Sequence, residues 1–129
     1  MAGTLVLDTL QNGAGTASTS ANNIINGCAK AWVNFNGTGT VAIRASYNVS
    51  SITDNGTGDY TINFTNALAD ANYSVVGTSQ AQTYDKSFVA IPNTGSTYST
   101  TQVRLLCVAF NGSSWNNNDA NIFNVSVFR

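Results

Sequence analysis

Apolar and polar side chains alternate along much of this chain, and a period of two is typical of strands with one buried face. The alternation is strictest over residues 60–65, where it predicts that Tyr60, Ile62 and Phe64 point into a core. A slip of one residue would turn all of these side chains to the other face, so the pattern specifies the register. The residues of this segment that are expected to face outward are Thr61, Asn63 and Thr65.

The segment Gln102–Phe110 is apolar on both of its faces. A strand of this kind is either central in a sandwich or buried at a subunit contact. One set of side chains can fill the interior of the sandwich, and the other set must then be buried against another surface. We therefore expect Leu106, Val108 and Phe110 to form an oligomer contact. The set assigned to the interior is Val103, Leu105, Cys107 and Ala109.

Turn signals separate the alternating segments and complete the prediction of the fold. Asn-Gly pairs occur five times, and both residues tolerate the positive φ of tight hairpin turns. The pattern predicts an all-β fold, an antiparallel β-sandwich of about eight strands, jelly-roll-like, with little or no helix, as a single domain over residues 1–129. The one segment with helical character is Asn66–Ala71. The other predicted strands are Thr4–Leu7, Asn23–Ile25, Lys30–Phe35, Val41–Asn48 (with Val41, Ile43, Ala45 and Tyr47 on one face), Val49–Thr53, Tyr73–Thr78, Phe88–Ile91 and Phe123–Val127.

The composition excludes several classes of partner. Charged residues make up only 9% of the chain and the formal net charge is −1. Nucleic-acid binding requires clustered Lys and Arg, so we expect no nucleic-acid partner. No apolar run approaches the roughly 20 residues that span a bilayer, so we expect no membrane insertion. The N-terminus carries no secretory signal pattern, so we expect no signal peptide.

The inventory of reactive side chains argues against an enzyme. The chain has no His and no Glu, so the usual Ser-His-Asp and Cys-His nucleophile pairs cannot be built. Two Cys alone cannot complete a tetrahedral zinc site. We predict no catalytic residues, no metal and no cofactor. The segment Asp54–Asp59 resembles a calcium loop only weakly, because glycines stand where oxygen ligands are needed, and it favours a hairpin turn between Val49–Thr53 and Tyr60–Thr65.

The two cysteines, Cys28 and Cys107, leave two alternatives open. They form a disulfide, or they are reduced and inert. The absence of a secretory signal favours the reduced form.

A polar loop around Trp115 is the candidate surface for glycan contact. An aromatic ring among amides can stack on a sugar ring, since it presents a large rigid face. The alternative is that Trp115 caps the sandwich or packs against a neighbouring subunit, and this alternative is favoured. The candidate contact residues are Trp115, Asn116, Asn117, Asn118 and Asp119.

Three parts of the sequence resemble a recurrent module of tailed bacteriophages, the tail fibre or virion surface structural module. They are the runs Ala29–Thr38 and Ile43–Tyr73, together with the opening Met1–Leu10, and the similarity extends over residues 1–78. The resemblance implies a protein without a catalytic motif that is displayed on the virion, usually as a homotrimer, and bound to other phage virion proteins. Compared with a full tail fibre, we expect neither an N-terminal anchor nor a shaft, which favours a small tip subunit or a decoration protein.

Three functions from different classes follow. The first is a structural protein on the outer surface of a tailed phage, as a tail fibre or tail-tip component that contacts a host receptor or as a capsid decoration protein. The second is a carbohydrate-binding, lectin-like adhesin that uses the Trp115 loop. The third is an enzyme, which the missing His and Glu oppose. The sequence favours the first.

Overall fold

The computed structural model describes residues 3, 6–80, 87–92, 98–110 and 112–129. Within these residues the chain forms eleven strands and one short helix. Every strand pairing is antiparallel. The elements are β1 (Thr9–Gln11), β2 (Ser18–Ser20), α1 (Ala21–Gly27), β3 (Ala29–Asn36), β4 (Ala42–Tyr47), β5 (Val49–Gly56), β6 (Asp59–Phe64), β7 (Ser74–Ser79), β8 (Ser87–Pro92), β9 (Gln102–Phe110), β10 (Trp115–Asn117) and β11 (Phe123–Phe128).

Two sheets pack face to face, which confirms the predicted all-β sandwich. The four-stranded sheet has the order β4-β3-β11-β7. The five-stranded sheet has the order β10-β9-β6-β5. β6 and β10 pair with successive parts of one edge of β9, and β8 pairs with its opposite edge. The short β1-β2 hairpin forms a separate sheet.

Alternating side chains of the inner strands build the core between the sheets. Tyr60, Ile62 and Phe64 are all buried, as the alternation predicted. Tyr60 lies in an aromatic cluster with Phe35 of β3 and Phe123 of β11, with ring centroids 5.1 to 5.8 Å apart. Rings at these distances and tilts attract each other beyond the gain from burial alone. This cluster joins the two sheets.

The outward face of β6 departs from the prediction at one position. Thr65 is exposed and Asn63 is half-buried, but Thr61 is buried. β6 lies between β5 and β9, so Thr61 has cross-strand neighbours on both sides. The Asn55 side chain donates a hydrogen bond to the Thr61 hydroxyl at 2.9 Å, which satisfies the buried oxygen.

A β-bulge overturns the expected alternation of Val41–Asn48. Arg44 has no partner on β3, because the register shifts by one residue at this point. The extra residue places Ile43 on the inner side of the sheet, while Ala45 and Tyr47 lie on the outer side. All six residues of β4 are exposed, so this edge strand contributes no buried face of its own.

The N-terminal region also departs from the prediction. The expected strand Asn23–Ile25 lies inside helix α1, which begins where the Ser20 hydroxyl accepts a hydrogen bond from the Asn23 amide. Such an N-cap satisfies a free helical N–H group and favours a helix. In the expected strand Thr4–Leu7, residues 4 and 5 lie outside the described residues, and residues 6 and 7 belong to no strand.

The expected helix Asn66–Ala71 is a loop with bends. Its backbone bonds to other segments instead of to itself: Asn66 N–H donates to the Asn48 side chain, and Leu68 N–H donates to the Thr100 carbonyl at 2.8 Å. Leu68 is buried, so the loop closes one end of the sandwich.

The predicted hairpin turn after Asp54 is confirmed. β5 ends at Gly56 and β6 begins at Asp59, with paired strands on both sides. Asp54 accepts a hydrogen bond from the Gly56 amide, while both Asp59 oxygens accept from Arg104 at 2.7 Å. The two carboxylates therefore stabilise the turn and its neighbouring strand.

Candidate functional site

The Trp115 loop is divided by the structure into an exposed and a structural part. Trp115–Asn117 form β10, which pairs with the end of β9 at the edge of the five-stranded sheet. The Trp115 side chain is 56% exposed, and its ring lies against Phe110 with a centroid distance of 5.2 Å. Asn116 and Asn117 are exposed beside it. Because side chains alternate along a strand, Trp115 and Asn117 share one face of β10 and Asn116 lies on the other.

The last two residues of the loop turn into the body of the protein. Asn118 N–H donates to the Cys107 carbonyl at 2.9 Å. The Asp119 carboxylate accepts hydrogen bonds of 2.7 Å from Gly58 N–H and from the Tyr60 hydroxyl. Burial, and after it the hydrogen bond with Asp119, raises the pKa of Tyr60 far above its usual range. Asp119 thus ties the β10–β11 connection to the core.

The expected oligomer contact on β9 is less exposed than the sequence suggested. Val108 is buried within the single chain, and Leu106 and Phe110 are half-buried. Phe110 is partly covered by the Trp115 ring of the same chain. An uncovered stripe of three apolar side chains, which was the reason to expect a contact here, is therefore not present.

The outer face of the four-stranded sheet carries the apolar surface that the sequence did not reveal. Tyr47, Trp32, Ser126 and Val76 lie opposite one another on β4, β3, β11 and β7, and we call these four residues the Trp32 row. Tyr47 is 58% exposed, Val76 56% and Trp32 39%. Directly opposed side chains in an antiparallel sheet are close enough to form one continuous surface.

A second row of uncharged side chains lies beside the Trp32 row. It consists of Ala45, Asn34, Asn124 and Thr78, again one residue from each strand. Asn34 donates to the Asn124 side-chain oxygen at 2.5 Å, and Asn124 donates to the Thr78 hydroxyl at 3.3 Å. These bonds link the amides in a line across the sheet beside the Trp32 row.

The outer face of the five-stranded sheet has a different chemistry along β5, β6 and the start of β9. Asn63 donates to the Ser51 and Thr53 hydroxyls at 3.0 Å each. Next to this network lies the two-bond ion pair of Arg104 and Asp59. Hydroxyls, amides and paired charges suit a surface in water, so among these strands the two outer faces differ in polarity.

An open cleft of about 700 Å³ adjoins the Trp32 row where helix α1 meets one end of the sandwich. Ile24 and Ile25 of the helix line one side, and Tyr47 lines the other. Tyr47 belongs to both the cleft and the Trp32 row. The cleft and the row therefore form one connected surface.

Both cysteines are free, which agrees with the favoured alternative. Cys28 is exposed and Cys107 is buried in the core. Burial raises the pKa of the Cys107 thiol. A buried protonated thiol behaves as a small apolar side chain.

In the described part of the chain, no three His, Cys, Asp or Glu residues lie close enough together to hold a metal ion. None of the helices in that part is both long and apolar enough to cross a bilayer. Comparisons with protein-family models, with curated proteins and with solved structures find no significant match for this chain.

Proposed function

We propose that the protein is a non-enzymatic structural component of the outer surface of a tailed-phage virion, in a tail fibre or tail tip, and that it acts as a homotrimer. The observation that carries this proposal is the Trp32 row, which exposes a large apolar side chain on three of the four strands of the sheet. Exposed patches of this kind mark sites of association in soluble proteins. The resemblance of residues 1–78 to virion surface modules supplies the biological setting.

The remaining surface suits the outside of a particle. Asn, Thr and Ser together make up 47 of the 129 residues, and on β5 and β6 they form a hydrogen-bonded network that needs no partner. One sheet face thus serves self-association, while the other faces the medium.

Immuno-electron microscopy of phage particles that carry the coding sequence tests the location. Antibodies raised against the purified chain are expected to label the tail. Labelling of the head would instead assign the alternative function, capsid decoration. Particles that carry no label would contradict a virion role.

Light scattering of the full chain tests the assembly state. We expect a mass of about 40 kDa, which corresponds to three copies of the 13.5 kDa chain. No larger species is expected, because a closed ring leaves no apolar row free to bind a further copy. A mass of one chain at micromolar concentration would contradict the homotrimer.

A second candidate function rests on the exposure of Trp115 beside Asn116 and Asn117. A ring flanked by amides offers stacking and hydrogen bonds to a host surface glycan. A glycan array with the full chain and with the Trp115→Ala variant tests it. Glycan binding that Trp115→Ala removes would support a lectin-like adhesin, and binding that survives the substitution would contradict this location of the site.

A further inference from the structure

The N-terminal arm, which we define as residues Val6–Gly27, is folded without a core of its own. No described residue before Ala31 is buried. Four large apolar side chains of the arm are instead among the exposed hydrophobic residues of the chain. They are Val6 at 86%, Leu10 at 53%, Ile24 at 36% and Ile25 at 58%.

Local hydrogen bonds give the arm its shape. The Asn12 side chain accepts from the Thr16 and Ala17 amides and closes the β1-β2 hairpin. Ser20 caps the seven-residue helix α1. A hairpin with three-residue strands and a helix of two turns are each marginal in water without further packing. Packing against a further surface would therefore stabilise the conformation of the arm.

We infer that the N-terminal arm of one copy packs on the Trp32 row of the next copy. This inference rests on the self-association in the proposed function, and it assigns the two surfaces that meet. One chain carries both halves of the contact, an uncovered arm and an uncovered sheet face. A contact between unlike surfaces can close into a ring, which agrees with a cyclic homotrimer.

The charges of the two surfaces are complementary. The arm has a single charged residue, the acid Asp8, and no base. The four strands of the receiving sheet carry two bases, Lys30 and Arg44, and no acid. Beyond these residues both surfaces are uncharged, so desolvation of the contact removes few charges from water.

The arm also has the length that such a contact needs. A specific protein interface involves about 20–30 residues of each partner, and the segment from Val6 to Gly27 lies in this range. The receiving surface spans all four strands of the sheet, from Tyr47 at one edge to Val76 at the other.

Photo-crosslinking between isotopically distinct copies tests the contact directly. Leu10 is replaced by benzoylphenylalanine in full-length chain grown in ¹⁵N medium, and this chain is mixed with unlabelled protein, unfolded and refolded together. We expect cross-links that join a labelled arm to an unlabelled peptide containing Trp32 or Tyr47. The matched control places the same photoreactive residue at Thr57, an exposed turn position of the five-stranded sheet, and is expected to give no cross-link to these peptides.

Association measurements give a second readout. The variants Leu10→Asp and Ile25→Asp are expected to raise the dissociation constant of the oligomer by about tenfold or more, as for central apolar contacts, while the control Thr57→Asp, at an exposed turn position outside both surfaces, leaves it unchanged. Circular dichroism should show an intact sandwich in all three, since none of these residues is buried in its own chain.

The outcomes separate this inference from the proposed function. An oligomer whose arm cross-links within its own copy, or to another surface, overturns the inference and leaves the homotrimer standing. A chain that stays monomeric overturns both. An oligomer unaffected by Leu10→Asp and Ile25→Asp again overturns the inference alone.

Discussion

Substitution of Gly58 by Ala tests how tightly the β5–β6 turn is fitted to the rest of the sandwich. Gly58 has a φ of +63°, and a Cβ atom at this position would lie 2.5 Å from the Cys107 carbonyl oxygen and 2.6 Å from the Asn118 amide nitrogen. Those two atoms are hydrogen-bonded to each other at 2.9 Å, and Cys107 N–H donates to the Gly58 carbonyl at 2.7 Å. A methyl group therefore cannot enter without moving backbone.

The expected cost combines backbone strain at Gly58 with the effects of the close contact, which are overpacking and broken hydrogen bonds, and Gly39 provides the strain alone. Left-handed backbone costs a non-glycine residue about 1–2 kcal/mol. Overpacking adds about 1–3 kcal/mol, and each hydrogen bond that breaks adds about 0.5–1.5 kcal/mol. We expect Gly58→Ala to lower the free energy of unfolding by about 3–5 kcal/mol. Gly39 has a φ of +61° with nothing within 4 Å of its Cβ position, so Gly39→Ala should cost only the backbone strain.

Urea unfolding followed by circular dichroism measures both variants. The protein concentration is kept equal in all samples, because self-association changes apparent stability. The two transitions should share the slope of the parent protein and differ in their midpoints. Equal midpoints for Gly58→Ala and Gly39→Ala would refute the close approach of the turn to Cys107 and Asn118.

Three further perturbations test the core and one ion pair. Tyr60→Phe removes a buried hydroxyl that lies 2.8 Å from the Gly37 carbonyl oxygen and 2.7 Å from the Asp119 carboxylate, and the loss of its hydrogen bonding should cost about 1–3 kcal/mol in a urea titration; a cost below about 0.5 kcal/mol would contradict the geometry. Ile62→Ala truncates a fully buried side chain and should cost about 2–5 kcal/mol, so an unchanged melting temperature would remove Ile62 from the core. The Arg129 guanidinium holds the pKa of Asp70 below its usual range, so the stability that this carboxylate contributes is present at neutral pH and is lost as the pH falls below about 4. The difference in urea midpoint between the parent protein and Asp70→Asn should accordingly shrink on acidification, and a difference that grows would show the opposite sign.

The sequence by itself determined the fold class and the inner faces of most strands. Tyr60, Ile62 and Phe64 could be assigned to the core because a strand repeats every two residues, and burial of one face requires apolar residues at that period. The hairpin after Asp54 followed from turn chemistry that acts over a few neighbouring residues. Both signals are local, so they can be read from the chain without its partners in space.

Contacts between strands that are distant in sequence determine which surfaces stay uncovered and which polar groups are buried or hydrogen-bonded within the fold. The bulge at Arg44 depends on pairing with β3, and it turns Tyr47 outward to join Trp32. The helix over Asn23–Ile25 depends on its Ser20 cap. A single cap is a weak signal, and the pattern of a short apolar run cannot distinguish a helix from a strand. Asp119 meets Tyr60 across 59 positions of sequence, and Thr61 is buried because β6 has a neighbour on each side. Contacts of this kind follow from strand order and register, which no local pattern along the chain specifies.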